Sequence, residues 1–220
     1  MKIHLQREIE VAKKMLLNLS AEVEESLNKT LIAIKEADVD LAQSVVDYDD
    51  EIDRLEVETE EECLKILALH QPVAVDLRFI VAVIKITNSL ERIADNIANI
   101  AKRSIHLAAS NIIVPNRFQT TAEIAQGMLR NSLDALINLD TALARSIIAA
   151  DDQIDNLHKK NYVEAVEAIQ KNPADADNQI NFLSISRQIE RICDLVTNIA
   201  EDTIYMVDGE IVRHREFYEE

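Results

Sequence analysis

The chain has 220 residues and a formal charge of −17, with 40 acidic side chains against 23 basic ones, two glycines, three prolines and 4% aromatic residues. So few turn formers and β-formers predict an all-α protein. A chain this acidic is repelled by phosphate backbones and by anionic lipid surfaces, which excludes nucleic acid as a partner and favours cations and basic protein surfaces.

Apolar residues recur every three or four positions almost throughout the chain, which predicts six long helices. Asp38 and Asp140 precede two of these helices as N-caps, and Pro72, Pro115 and Pro173 mark breaks in the pattern. In chain order the predicted helices run from Ile3 to Lys35, Asp38 to Leu69, Ala74 to Ala108, Phe118 to Asn138, Asp140 to Gln170 and Ala174 to Val207.

The two cysteines, Cys63 and Cys193, stand alone in helical patterns, so their spacing predicts neither a disulfide framework nor a thiolate zinc site. The N-terminus lacks the apolar stretch of a signal peptide, and no window of about 18 residues is free of charge. We therefore expect a soluble, cytoplasmic protein whose contact with a membrane complex is at most peripheral.

A sequence repeat divides the chain into two halves. Residues 37–53, ADVDLAQSVVDYDDEID, match residues 139–155, LDTALARSIIAADDQID, and LERIADNIANIA at 90–101 matches IERICDLVTNIA at 189–200. Two ordered motifs that each recur with a shared proline break indicate a tandem of three-helix bundles. The predicted organisation is one bundle over residues 1–110, a second over 116–208, and a C-terminal tail over 209–220.

Each half carries a polar stripe of acidic and amide side chains on its third helix. Residues four apart lie about 6 Å from each other along one side of a helix, and carboxylates at that spacing repel unless a cation lies between them. The second helix of each half adds further carboxylates, so hard oxygen ligands from two helices would suit Mg²⁺, Ca²⁺, Mn²⁺ or iron. The candidate metal ligands are Asp49, Asp53, Glu91, Asp95, Asn99, Asp151, Asp155, Glu190, Asp194 and Asn198.

Two alternative interpretations of these acids stay open. Arg92 and Arg191 are adjacent to the stripes and would neutralise the carboxylates through local ion pairs on a solvated face. A ferritin-like di-iron enzyme would need two E-x-x-H motifs, whereas the chain offers only a D-x-x-H at Asp155 and His158.

No P-loop and no nucleophile elbow is present, so the sequence predicts no enzyme.

Residues 69–102 resemble the first signature of the PhoU family of phosphate-transport accessory and regulatory proteins. The resemblance rests on Q-P-x-A-x-D-L-R followed by L-E-R-I-x-D-x-x-x-N-I-A, and it extends over about residues 5–207. It implies paired three-helix bundles, homodimers in many members, and multinuclear metal sites in some. The family's acidic motifs correspond here to Asp49, Asp53, Glu91, Asp95, Asp151, Asp155, Glu190 and Asp194.

Both halves depart from the family pattern, the second more than the first. Ala94 and Cys193 replace the usual glycine, and the segment 171–179, KNPADADNQ, lacks an arginine equivalent to Arg78. We expect the Cys193 thiol to be part of the core rather than a soft metal ligand.

The resemblance implies a regulator that restrains phosphate uptake and phosphate-starvation signalling. Its implied partners are the ATPase of the phosphate ABC transporter, a membrane sensor histidine kinase and a second copy of the chain. Its implied cofactors are metal ions, whose identity stays open among iron, zinc, magnesium, manganese and calcium. The alternatives are a ferritin-like metal oxidase and a purely structural helical interaction protein.

Overall fold

The computed structural model describes residues 2–110 and 112–212, and within these ranges it contains six α-helices and no strand. The helices are α1 (Lys2–Glu36), α2 (Val39–His70), α3 (Ala74–Ala109), α4 (Asn116–Asn138), α5 (Thr141–Lys171) and α6 (Ala176–Asp208). The predicted all-α class and the six helices are therefore confirmed. Of the predicted tail at 209–220, residues 213–220 lie outside the described residues.

Side-chain caps begin the second helix of each half. The Asp38 carboxylate accepts a hydrogen bond from the Leu41 backbone N–H at 2.9 Å, and Asp140 accepts one from Leu143 N–H at 2.9 Å. Each bond satisfies one of the N–H groups that a helix start leaves without a partner. The sequence predicted both caps from residue type and position.

The start of α6 differs by two residues from the prediction. Pro173 to Asp175 form a 3-10 turn, and the α-helix begins at Ala176 rather than at Ala174. Proline fixes φ and lacks an N–H, so it fits the first turn of a helix. Here that first turn is of the tighter 3-10 type, and the α-helical hydrogen bonds begin after it.

Helices α3 and α6 lie at the centre of the protein. Helix α3 packs on α1 and α2, α6 packs on α4 and α5, and the two central helices pack on each other. Ile97 of α3 and Ile199 of α6 are both 0% exposed. The apolar residues of both halves thus form a single continuous core, whose burial is the main favourable term in folding.

The two central helices run antiparallel to each other. Lys85, early in α3, bonds Asp202, late in α6, whereas Arg103 at the far end of α3 bonds Asn181 near the start of α6. Because α3 and α6 are equivalent in the repeat, their antiparallel packing relates the two halves by an approximate twofold axis. No helix within the described ranges is long and apolar enough to cross a bilayer.

Candidate metal centre

The first acidic face combines α2 and α3. Asp49 and Asp53 lie on α2 around the fully buried Ile52, and Glu91 and Asp95 lie on α3 next to the fully buried Ile93. The spacing of four residues keeps each pair of acids on one side of its helix, while the apolar neighbours turn into the core. The interior packing of Ile52 and Ile93 therefore fixes where the carboxylates emerge.

The carboxylates of this face influence one another electrostatically. Partial burial, followed by the charges of Asp95 and Asp53, raises the pKa of Glu91 from 4.5 to about 7. Burial and the charge of Asp95 also raise the pKa of Asp49 and of Asp53. Like charges in a poorly solvated place disfavour ionisation, so this face favours either bound protons or a bound cation.

The second acidic face repeats the first on α5 and α6. Burial, followed by the charges of Asp194 and Asp155, raises the pKa of Asp151 from 3.8 to about 6. Burial and the neighbouring Glu190 raise the pKa of Asp194. The sequence predicted this correspondence, and the structure brings the carboxylates of both second helices into electrostatic contact with those of the third helices.

The two predicted amide ligands lie apart from this pattern. Asn99 and Asn198 line one polar cleft between α3 and α6, together with Arg92 and Arg191. Asp95 and Asp194 also line the cleft, so it joins the two acidic faces across the approximate twofold axis. An amide oxygen in this cleft would serve as a ligand only for an ion bound on the cleft side of Asp95 or Asp194.

The neighbouring arginines offset only part of the negative charge. Arg92 lowers the pKa of Glu91 and Arg191 lowers that of Asp194, but both pKa values stay above their usual range. Both arginines are exposed, and neither forms a salt bridge with the described residues. The arginines therefore lower these pKa values without cancelling the effect of burial and of the neighbouring carboxylates.

The carboxylates of these faces suit hard cations, but their oxygen atoms are not gathered around one common position. Carboxylate oxygens are the ligands that Mg²⁺, Ca²⁺, Mn²⁺ and iron accept, and here four of them approach from two helices. Within residues 2–110 and 112–212, however, no three His, Cys, Asp or Glu side chains are arranged to hold an ion. Metal binding would need side-chain rotations that bring these repelling carboxylates together, so the metal sites stay a prediction.

Three further residues bear on these faces. Glu56 lies one turn beyond Asp53 and adds negative charge near Glu91. Its i+3 spacing from Asp53 places it on the same side of α2, which is a signal present in the sequence. Lys102 lowers the pKa of Asp49 and had no such signal, because it comes from the far end of α3. His158 Nδ1 lies 2.9 Å from Ser186 Oγ, which directs this imidazole toward α6.

Both cysteines belong to the core. Cys63 and Cys193 are 0% exposed, and burial raises the pKa of both thiols, that of Cys63 to about 12. A buried protonated thiol is a poor nucleophile and a poor ligand. This burial agrees with the sequence expectation that Cys193 packs in the core.

The chain matches the model of one protein family twice. The PhoU domain covers residues 16–104 and again residues 118–203. A phosphate-specific transport system accessory protein PhoU homolog from Aquifex aeolicus is 35% identical over 214 residues, which is 97% of each chain. A protein of the same description from Pseudomonas aeruginosa is 36% identical over 210 residues, or 94% of this chain and 86% of that one.

Solved structures of similar sequence have the same fold. The crystal structure of PhoU from Pseudomonas aeruginosa superposes with a TM-score of 0.90 at 34% identity, covering 93% of this chain and 99% of that one. The phosphate transport system regulatory protein PhoU from Streptococcus pneumoniae gives a TM-score of 0.86 at 27% identity, covering 94% and 99%.

Proposed function

The chain belongs to the PhoU family, and from this premise we propose that it restrains phosphate uptake and phosphate-starvation signalling. The observation that carries the proposal is the match of both halves to the PhoU domain, with relatives named as accessory or regulatory proteins of phosphate transport. Those names describe transport accessory proteins rather than enzymes, which confirms the prediction that the chain is not an enzyme.

The regulator acts by contact with other proteins. Its partners are the ATPase of the phosphate ABC transporter and the membrane sensor histidine kinase, both approached from the cytoplasm, and the chain works as a homodimer. An acidic surface on a rigid helical core supports this proposal, because it favours basic partner surfaces and disfavours bare anionic lipid. Docking in the phosphate-replete state would hold both partners in their inactive arrangement.

Metal ions bound at the two acidic faces complete the regulator. Asp49, Asp53, Glu91 and Asp95 would hold one site and Asp151, Asp155, Glu190 and Asp194 the other, with Asn99 and Asn198 as ligands from the cleft side. The raised pKa values of Glu91 and Asp151 support this assignment, because they reflect partial burial first and then the negative charges of the neighbouring carboxylates. A bound divalent cation would supply compensating positive charge. It would also hold α2 against α3 and α5 against α6, or bridge to a partner protein.

Replacing the first acidic face tests the function and the metal separately. The gene is deleted, and the strain is complemented with the native chain, with Glu91→Ala plus Asp95→Ala, or with a control, Glu164→Ala plus Glu167→Ala. The control removes two acids of α5 that belong to neither acidic face. The Glu164 side chain is 37% exposed and that of Glu167 is 59% exposed. Phosphate uptake and a phosphate-starvation reporter are measured in high phosphate, and the metal content of protein purified without chelator is measured by elemental analysis.

The proposals predict different outcomes in this experiment. The deletion should raise uptake and derepress the reporter, and the native chain and the control should restore repression. If the deletion changes neither, the regulatory function is wrong. If the Glu91 and Asp95 variant keeps full repression and unchanged metal content, the metal assignment is wrong while the regulatory function stands.

Pull-down and oligomer measurements test the partners. The native chain should retain the transporter ATPase and the histidine kinase, and analytical ultracentrifugation should give the mass of a dimer. Recovery of neither partner and no metal would favour the purely structural alternative. Turnover of ferrous iron would favour the ferritin-like alternative, for which the names of the relatives provide no support.

A further inference from the structure

A basic cleft lies where α3 ends and α6 begins. Lys102, Arg103 and His106 line it from α3, and Asp177 and Asn181 line it from α6. The cleft encloses about 930 Å³, part of it open to solvent. Among the described residues that line it, three are basic and one is acidic, in a chain whose formal charge is −17. The cleft is therefore a local exception to the acidic character of the protein.

The internal repeat shows that the charge of this cleft belongs to one half only. Residues 90–103, LERIADNIANIAKR, align with residues 189–202, IERICDLVTNIAED. Arg103 thus corresponds to Asp202, and the residue before each of them differs in sign in the same way. The two ends of the seam between α3 and α6 therefore carry opposite charges.

The acidic end of the seam has a counter-charge that the basic end lacks. The Asp202 carboxylate accepts a hydrogen bond of 2.6 Å from Lys85 of α3. The residue equivalent to Lys85 in the second half is Ser184, which is neutral. The repeat therefore supplies a cation to Asp202 but no carboxylate to Arg103.

A neutral amide holds the Arg103 side chain in place. Arg103 Nη1 donates a hydrogen bond of 2.9 Å to Asn181 Oδ1, and Asn181 is 8% exposed. Asn181 Nδ2 in turn donates to the backbone oxygen of Asp177 at 2.9 Å. The guanidinium is thus oriented without being neutralised, and its remaining N–H groups stay available to a ligand.

The cations of the basic cleft have no carboxylate in direct contact. No acidic side chain that the structure describes forms an ion pair with Lys102, Arg103 or His106. Lys102 lowers the pKa of Asp49 electrostatically, but the two side chains do not form an ion pair. Because α3 and α6 are antiparallel, the opposite ends of their dipoles lie side by side and offset each other. The excess positive charge therefore comes from the side chains, and it favours an anion.

The donors of the basic cleft suit an oxyanion with several oxygens. The Lys102 ammonium has three donors, the Arg103 guanidinium is a planar fork, and the His106 imidazole has an N–H in either tautomer. Two permanent positive charges match a dianion better than a single carboxylate. These groups converge on one cleft from adjacent turns of α3.

The acid in the basic cleft distinguishes between dianions. The carboxylate of Asp177 can accept a hydrogen bond from a protonated oxygen but repels an oxyanion that has no proton. At pH 8 inorganic phosphate is a dianion that keeps one proton, whereas sulfate and a phosphate monoester are dianions without one. The combination of three donors with one acceptor therefore favours inorganic phosphate.

We propose that the basic cleft binds inorganic phosphate, with Lys102, Arg103 and His106 donating hydrogen bonds to its oxygens and Asp177 accepting the hydrogen bond of its proton. The cleft does not include the four carboxylates of either acidic face. The inference goes beyond the proposed function, because binding by the purified chain is measured separately from repression in cells and either result can fail without the other.

Calorimetric titration of the full-length chain tests the ligand. The protein is stripped of metal ions with chelator, dialysed, and titrated at pH 8 with inorganic phosphate, sulfate or methyl phosphate at equal ionic strength. Phosphate should bind once per chain, and the other two anions should bind several-fold more weakly. The absence of phosphate binding would overturn the proposal. Sulfate binding as tightly as phosphate, or methyl phosphate binding more tightly, would overturn the assignment of inorganic phosphate as the ligand.

A pair of charge-matched variants tests the site. Lys102→Gln plus Arg103→Gln should weaken phosphate binding by about tenfold or more, since each substitution removes a charge-assisted donor. Lys13→Gln plus Lys14→Gln is the control, because it removes the same charge from adjacent exposed positions of α1. Equal weakening in both variants would show an effect of net charge alone and would overturn the site. Far-UV circular dichroism checks that both variants fold.

Two single substitutions at exposed positions test the roles of the remaining groups. His106→Gln should weaken phosphate binding, and Asp177→Asn should reduce the preference for phosphate over sulfate, because the amide no longer repels an anion without a proton. Unchanged phosphate binding in folded His106→Gln, or an unchanged preference in folded Asp177→Asn, would contradict the role assigned to that residue.

Discussion

Lys85 of α3 donates a hydrogen bond of 2.6 Å to Asp202 of α6, across 117 positions of sequence and between the two halves of the repeat. Asp202 is 2% exposed, whereas the Lys85 side chain is 39% exposed. Lys85 also lies 5.4 Å from the centre of the Tyr205 ring. The pair therefore supplies a buried carboxylate with a cation at the seam between the bundles.

Lys85→Met should destabilise the protein. The change keeps the length of the side chain but leaves the Asp202 carboxylate without its lysine, at a cost of about 1–3 kcal/mol in the free energy of unfolding. Urea denaturation followed by circular dichroism measures it. Lys29→Met, which removes an exposed pair with Glu25 on α1, is the control and should cost less than about 1 kcal/mol. Equal effects of the two variants would contradict a special role for the seam pair.

Removal of either N-cap should weaken the start of its helix. Asp38→Ala and Asp140→Ala each delete a side-chain acceptor for a backbone N–H, and each should lower the free energy of unfolding by about 1 kcal/mol. Asp38→Asn keeps an acceptor at the same place and should stay within a few tenths of a kcal/mol of the native chain. If Asp38→Ala is as stable as Asp38→Asn, the hydrogen bond from the Leu41 N–H contributes nothing to the free energy of unfolding.

The metal-free protein should lose stability as the pH rises through the titration of Glu91. Its folded pKa of about 7 lies above the unfolded value near 4.5, so the folded state binds the proton more tightly. Stability from this group is present below about pH 4.5 and declines between pH 4.5 and 7. With chelator present, Glu91→Gln should therefore exceed the native chain in stability at pH 8 and approach it at pH 4.

Urea titrations at both pH values measure this difference. Glu61→Gln, an exposed position on α2, is the matched control and should shift stability by a similar small amount at both pH values. A Glu91→Gln variant that is less stable than the native chain at pH 8 would contradict uncompensated charge on this face.

The two cysteines should react slowly with alkylating reagents. Both are 0% exposed, and burial raises the pKa of each thiol, so little thiolate reaches solvent at pH 8. Iodoacetamide should label Cys63 and Cys193 at least about tenfold more slowly in the native protein than in urea. Mass spectrometry of peptides measures both sites at once, and fast native labelling of Cys193 would contradict its place in the core.

Local chemistry made most of the fold predictable. Helix α3 begins at the predicted Ala74 and ends one residue beyond the predicted Ala108, because Pro72 and the aperiodic segment before Pro115 mark its ends. The caps at Asp38 and Asp140 were equally clear, since a side-chain acceptor next to a helix start acts within three residues. The 3-10 turn at Pro173 was missed because α-helical and 3-10 first turns accept the same residues.

The candidate site was predictable in part. Spacing of four residues placed Glu91 near Asp95, and the repeat carried that inference to Glu190 and Asp194. The sequence also predicted that Asp49 and Asp53 of the second helix face this stripe, and in the structure burial and the charge of Asp95 raise the pKa of both. The charge of Lys102 near Asp49 had no sequence signal, because helices of more than 30 residues bring distant positions together.

The sequence by itself determined the helices, their caps, the internal repeat and the acidic stripe on each third helix. These properties depend on neighbours within about four residues, which a helix holds at known positions. Only the tertiary structure decided that α3 and α6 meet antiparallel, that Lys85 pairs with Asp202, and that Asn99 and Asn198 share one cleft. Those contacts depend on how two apolar faces fit together, which local periodicity leaves unspecified.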